Sequence, residues 1–446
     1  MSDNNSVPQG QPLSFNPNAA GIDIGSTELY VAVPPGRSEK PVRCFGTFTE
    51  DVVALSDWLM SCGVTTVAME STGVYWIPVF QILEDRGFDV CLVNARHVKN
   101  VPGRKTDVAD CQWLQYLHSV GLLRASFRPP QQVCAVRSLV RHRDAQVKMA
   151  SSHVQHMQKA LTQMNLQLHH VIADIAGATG LAIIDAILAG ERDTVKLARF
   201  RDPRVKTTEA VIAKALVGDY RTEHLFTLRQ SLTSYRHYQG LIAECEQQIK
   251  NLLTEFDSRI DPDEHPLPPN SKRPLKKDSS GAELRGEFYR MTGVDLTAIP
   301  GIQVNAIHTL LAEVGRDVSK FPSAKHFASW MGLCPDNRIS GGRILSVRTR
   351  RVKNRAAVVL RLAALSLRRS QTALGDFFRR MRAKLGAPKA ITATAHKLAR
   401  IIYFLLKTRT PYDHTYFARH EERHRRRKEI SLIRQAKALG YSLVPA

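Results

Sequence analysis

Four carboxylates and one serine stand where polar side chains can act on a phosphate ester. Asp23 is the only charge in the apolar run Gly21-Ile22-Asp23-Ile24, and alternation along a strand points its side chain opposite to its neighbours. Glu70 follows the run Val64 to Met69 and precedes Ser71-Thr72-Gly73, a turn. Asp107 and Asp110 are three residues apart at the start of an expected helix, so they share a face. Carboxylate oxygens of this kind suit hard divalent cations, Mg²⁺ or Mn²⁺. Two such ions ~3.5–4 Å apart can activate an attacking oxygen and stabilise a leaving one. Taken singly, each acid has a plainer use as a cap, a strand-end charge or a partner for a positive helix start. Strand, strand end and helix start together have the layout of a metal site for phosphodiester chemistry.

Ser340 lies in Arg338-Ile-Ser340-Gly-Gly-Arg343. Two glycines leave its hydroxyl unshielded and let backbone approach a phosphate, while Arg338 and Arg343 supply charge. By itself a Ser-Gly-Gly triplet is a flexible turn. A serine hydroxyl needs a base or a metal to react, and no His–Asp pattern surrounds this one, which disfavours a Ser-His-Asp hydrolase. Tyr75, near Glu70, is expected to pack under a sheet. His169 and His170 are adjacent, so on a helix they diverge and do not make a metal pair.

The elements that must position these groups begin with short apolar runs at Ala20 to Ile24, Glu28 to Val33 and Val42 to Phe48. A helix is expected over Glu50 to Ser61 with Val53, Leu55, Leu59 and Met60 on its apolar face. A strand (64–69), a helix (74–86), a strand (89–93), a polar loop (94–106) and a helix (107–120) follow. Three strands and then alternating helix and strand predict a mixed sheet covered by helices.

Beyond residue 131 the pattern turns helical. Leu228, Tyr235, Ile242 and Ile249 recur at seven residues, with Leu225 and Leu232 in the alternate seam. That spacing fits a short coiled coil or a helical hairpin. Residues 261–281 are rich in Pro, Lys and Ser and read as a linker. Next comes Ile299-Pro-Gly-Ile302 between helical stretches, a turn able to offer backbone N–H groups to a phosphate. Apolar helices are expected at 358–367 and 393–406, and the end is polybasic.

The chain has 446 residues, 43% hydrophobic and 23% charged, which excludes wholesale disorder and fibrous repeats. No 18-residue apolar run predicts a membrane span, and the N-terminus lacks the order of a signal peptide. Seven scattered cysteines without a Cys-x-x-Cys pair fit reduced thiols in a cytoplasmic protein. The formal charge is +22, and residues 343–428 hold 24 Lys/Arg against 4 Asp/Glu. So lopsided a segment is an electrostatic footprint for a polyanion. Arg338, Arg343, Arg348, Arg350, Arg351 and Lys353 are the cations expected on its phosphates.

Gly21-Ile-Asp-Ile-Gly-Ser26, Met69-Glu-Ser-Thr-Gly-Val-Tyr75 and Lys105-Thr-Asp-Val-Ala-Asp110 resemble the amino-terminal domain of the DEDD transposases of bacterial insertion sequences. These are bridge-RNA-guided recombinases related to the pilin-gene DNA invertase. The stretches around Ile-Pro-Gly-Ile, Phe327-Ala-Ser-Trp-Met-Gly-Leu-Cys-Pro335 and Ser340-Gly-Gly-Arg resemble the family's carboxy-terminal domain. The resemblance implies a RuvC-like RNase H fold whose metal-binding acids are Asp23, Glu70, Asp107 and Asp110. It also implies Ser340 as the nucleophile that forms a covalent phosphoserine with DNA.

Donor and target DNA, a structured non-coding guide RNA and a homo-oligomer, dimer or tetramer, are the implied partners, with nucleoid association during activity. The expected division is a disordered tail (1–19), the RuvC-like domain (20–130), a helical and coiled-coil region (131–260) and a linker (261–287). A mainly helical transposase domain (288–412) and a basic tail (413–446) complete it. A RuvC-like structure-selective nuclease using water, with no need of Ser340, is the alternative enzyme. A nucleic-acid-binding architectural protein is the non-enzymatic one.

Overall fold

The computed structural model describes residues 15–71, 73–94, 106–269, 279–350 and 352–442. It divides into two compact units, Met1–Arg128 and Pro129–Ala446.

In the first unit, β1 (Ala19–Ile24), β2 (Glu28–Ala32) and β3 (Val42–Gly46) form an antiparallel meander, because the connections are too short for crossovers. Helices α1 (Thr49–Ser61) and α2 (Trp76–Asp85) then lead into β4 (Thr66–Glu70) and β5 (Asp89–Val93), which run parallel to β1. The sheet order is β3-β2-β1-β4-β5, the mixed sheet of a RuvC-like RNase H fold.

One sheet face carries Ile22, Ile24, Leu29, Val31, Val67 and Met69, buried with side chains of α1 and α2. On the other face Ala68, Cys91 and Val93 pack with Leu114 of α3 (Asp107–Ser119). The buried stripe of α1 is Val52, Leu55, Trp58 and Leu59, and Met60 is half-exposed, so the stripe is rotated from the expected Val53–Met60 face. Trp58 sets that rotation by packing on Phe45, ring centroids 5.6 Å apart. Residues 15–18, within the stretch expected to be disordered, are tied down: Asn16 N–H donates to the Ser119 carbonyl at 2.9 Å. Residues 1–14 lie outside the described residues.

The second unit is built on two 33-residue helices, α4 (Gln131–Gln163) and, after four shorter ones, α9 (Thr222–Thr254). Between them come α5 (Leu168–Val171), α6 (Ala178–Leu188), α7 (Thr194–Ala198) and α8 (Glu209–Ala215). The long pair is antiparallel. Gln132 donates to the Glu255 carbonyl at 3.3 Å, Arg143 pairs with Glu246, and the His153 and Tyr238 rings stack at 5.5 Å. Leu228, Leu232, Ile242 and Ile249 are buried, so the heptad seam of α9 is filled by this chain's own α4 as a helical hairpin. His169 and His170 do not diverge: on the single turn of α5 their rings lie 4.1 Å apart, tilted by 40°.

The remaining elements are α10 (Ser279–Thr292), α11 (Val304–Val314), α12 (Ala324–Trp330), β6 (Arg338–Ser340), β7 (Arg343–Ser346), α13 (Arg355–Ser366), α14 (Ala373–Leu385), α15 (Ala387–Thr408) and α16 (His414–Ala438). Helix α10 occupies part of the expected linker and α16 most of the expected basic tail; residues 270–278 lie outside the described residues. Tyr403 of α15 anchors this part, fully buried near Phe327 and donating to the Phe321 carbonyl at 2.9 Å. Gly301, at φ 85°, turns the Pro-Gly corner where a Cβ would meet the Ala363 carbonyl of α13 at 2.9 Å. That corner is therefore a packing joint. Arg137 and Arg141 of α4 reach the end of α11, donating to the Glu313 carbonyl at 2.7 Å and bidentately to its carboxylate at 2.8 and 3.0 Å.

Candidate active site

Strand register brings two of the acids to one level. Ile22 pairs with Met69 across β1 and β4 and both point into the α1–α2 core, so Asp23 and Glu70, one residue on, turn to the α3 face at the strands' C-terminal ends. Ser71 fixes the end of β4: its N–H and its hydroxyl both donate to the Val93 carbonyl, at 3.0 and 3.1 Å.

Helix α3 brings the other two. Thr106 is its N-cap, the hydroxyl accepting from the Ala109 N–H at 3.2 Å, so Asp107 and Asp110 fall in the first turn. Gly21 allows the approach. A Cβ there would lie 2.9 Å from Gln115 Cα and closer still to the Gln115 nitrogen and Cys111 carbonyl. The helix backbone therefore rests directly on β1, two residues from Asp23. In the sequence the sign of this contact is a glycine inside a strand, which marks close backbone approach.

The electrostatics record the convergence. Asp23 is half-buried, and its carboxyl is pushed up to about 6, first by burial and then by Asp107, Asp110 and Glu70. Cys111, buried beneath, is pushed up to about 12 by burial and then by Asp23, so its thiol stays protonated. Like charges collected in a half-buried place are what a divalent cation relieves, and the all-oxygen donor set fits Mg²⁺ or Mn²⁺. Among the described residues no three His, Cys, Asp or Glu side chains are already drawn together at metal-holding distance. Cation binding on these residues requires the carboxylates to close inward. Thr72 and Lys105 of the flanking motifs lie outside the described residues. Tyr75 is 51% exposed rather than packed under the sheet, because it precedes α2 and stands clear of that helix's buried face.

In the second unit, β6 and β7 form a hairpin closed by Gly341 and Gly342 at φ 53° and 74°. Positive φ at both central residues makes it a tight type I′ turn rather than an open loop. Ser340 and Arg343 are direct cross-strand partners, and Arg338 pairs with Ser346. Alternation puts Arg338, Ser340 and Arg343 on one face of the ribbon and the Ile339–Ile344 pair on the other. All of β6 and both glycines are exposed.

The Arg338, Arg343, Arg348 and Lys353 side chains make no ion pair among the described residues. Arg350 is committed locally, donating to the Ser329 carbonyl at 2.6 Å. Arg351 lies outside the described residues. The acids and the serine thus stand on separate units, the serine and Asp107 exposed and Asp23, Glu70 and Asp110 half-buried.

A DEDD-type model described as a transposase matches residues 20–166, spanning all four acids. A second, described as the transposase IS116/IS110/IS902 family, matches residues 295–379, spanning Ser340. Comparison with curated proteins finds no match.

Proposed function

Because the chain belongs to the IS110 family of DEDD transposases, we propose that it cuts and rejoins DNA strands through a covalent phosphoserine at Ser340, assisted by Asp23, Glu70, Asp107 and Asp110. The observation that carries the reading is the placement of the four acids at one end of the sheet, where burial first, and then Asp107, Asp110 and Glu70, push Asp23 up to about 6. The ribbon that presents Ser340 between two arginines supports the same chemistry from the other unit.

The four carboxylates would hold the divalent cation, which supplies positive charge to the attacking and leaving oxygens. Ser340 Oγ attacks phosphorus, forming a serine–phosphate ester as one strand P–O bond breaks and a sugar hydroxyl departs. Arg338 and Arg343 neutralise the extra negative charge on the phosphoryl oxygens as it develops. Attack by another strand's hydroxyl on the phosphoserine restores a diester and frees Ser340. One ester bond replaces another at each step, so rejoining needs no nucleotide cofactor. A structured guide RNA that pairs with donor and target DNA would select the sites, as in other RNA-guided systems, and a homo-oligomer would supply one serine per strand cut. No described helix is long and apolar enough to cross a membrane.

The test is trapping. Purified protein with its RNA, Mg²⁺ and labelled donor DNA should give a denaturation-resistant protein–DNA adduct that Ser340→Ala abolishes while DNA binding persists. Cleavage without any adduct in the parent, or adducts in Ser340→Ala, would overturn the serine assignment and favour water as nucleophile.

A further inference from the structure

The second unit contains a cavity of about 580 Å³, away from the Ser340 hairpin, between the segment after α9, helix α10 and the turn from α15 to α16. Its lining includes His265, Tyr289, Tyr412, His414, Arg285 and Arg409. The volume lies in the range of small-ligand pockets, roughly 300–1,000 Å³. The two arginines differ. Arg285 is buried and already paired: it bridges to Asp295 at 2.5 Å and donates to Thr297 Oγ1 at 2.9 Å and the Pro268 carbonyl at 2.7 Å.

Arg409 is exposed, and its side chain has no hydrogen bond or ion pair among the described residues. It caps α15 in the left-handed conformation, φ 57° and ψ 22°, where glycine is the usual residue. Such strain in a non-glycine residue points to a use for the side chain. It also lies near other cations: burial first, and then Arg409 and Arg316, push down the guanidinium of half-buried Arg259, with Asp317 opposing. Arg316 is itself paired with Asp257 at 3.2 Å.

We propose that this cavity holds one unstacked nucleotide of a bound single strand, with the base against the tyrosine and histidine rings and the phosphate on Arg409. Bases stack on aromatic side chains whatever their sequence, and a guanidinium without a carboxylate partner is free to bind a phosphate. The site rests on the reading of the chain as a nucleic-acid enzyme but not on strand transfer, so probe binding reads it independently of adduct formation.

The test uses the full chain and three fluorescein-labelled probes: a single-stranded oligodeoxynucleotide, its RNA counterpart, and a duplex of the same length. Arg409→Gly keeps the left-handed backbone while removing the guanidinium. It should weaken single-strand binding several-fold and make the log–log salt dependence shallower by about 0.7. Tyr289→Leu should weaken it about tenfold. Duplex affinity should stay within twofold for both, and the single strand that loses more, DNA or RNA, identifies the natural source. Unchanged single-strand affinity in Arg409→Gly, or an equal loss for duplex and single strand, overturns the proposal.

Discussion

Gly21→Ala isolates the contact that sets the acid geometry. The new Cβ would lie 2.9 Å from Gln115 Cα and nearer still to the Gln115 nitrogen and Cys111 carbonyl. Ordinary carbon contacts begin near 3.5 Å, so α3 must retreat by about 0.6 Å for the Cα alone, and by roughly 1 Å to clear the backbone nitrogen and oxygen. Overpacking of this size costs about 1–3 kcal/mol. The same retreat carries Asp107 and Asp110 away from Asp23, and about 1 Å of misplacement lowers a reaction roughly 100-fold. Urea denaturation and Mn²⁺ titration by calorimetry should therefore both register the change. Gly240→Ala is the control: a Cβ there meets nothing within 4 Å on exposed α9, and it should stabilise by up to ~1 kcal/mol. If Gly21→Ala matches the parent in both assays, the helix does not position the acids and the account of the site is wrong.

Asp23→Asn removes a charge that burial first and then its acidic neighbours disfavour. In metal-free buffer at neutral pH it should raise stability by on the order of 1 kcal/mol after discounting for the exposed part of the group, while abolishing strand cleavage; a lower melting temperature contradicts the repulsion. His308 is buried with Nε2 unpartnered and pushed down to about 4, by burial and then by Arg143. Between pH 6.5 and about 4 the unfolded chain binds the proton that the folded one refuses. Stability is therefore full above pH 6.5, falls with pH by roughly 3 kcal/mol, and levels off below the folded value. The gap between the urea midpoints of the parent and His308→Leu should be constant above pH 6.5 and move against the parent as pH falls towards 4; a gap that does not change with pH refutes the linkage. Glu313→Ala leaves Arg137 and Arg141 without their carboxylate at the end of α11 and should cost about 1–3 kcal/mol, Arg141 being half-exposed. Equal urea midpoints would show that the pair holds nothing together.

The sheet of the first unit was legible because its runs obey simple periods. Three short apolar stretches without room for a crossover had to form a meander, and a helical pattern between later strands had to give parallel pairing. The four acids were legible by type and spacing, whereas the close approach that gathers them rests on Gly21 and is a tertiary fact. The β6–β7 hairpin went unread although Arg-Ile-Ser-Gly-Gly-Arg-Ile alternates around a Gly-Gly pair, a recognised hairpin signal. Strands of three and four residues gave too short a window, and the expected helical setting overrode it. The heptads of α9 could not say which helix would fill the seam, since self-packing and dimer contact use the same residues. Nothing local marked Arg409: its left-handed backbone and lack of a partner depend on where α15 ends.

The antiparallel pairing of α4 and α9 also constrains how this chain can change. Each helix has 33 residues, about 50 Å at 1.5 Å per residue, and contacts from Gln132–Glu255 to His153–Tyr238 run along the pair. Three added residues in one helix alone would carry every later side chain nearly a full turn past its partner. Length in this region can therefore drift only as matched insertions in two stretches of sequence almost a hundred residues apart, while the small helices at the far end are held by the core they share with the long pair. Relatives that differ in the size of this strut should show such paired insertions, a record of the hairpin readable from sequence alone.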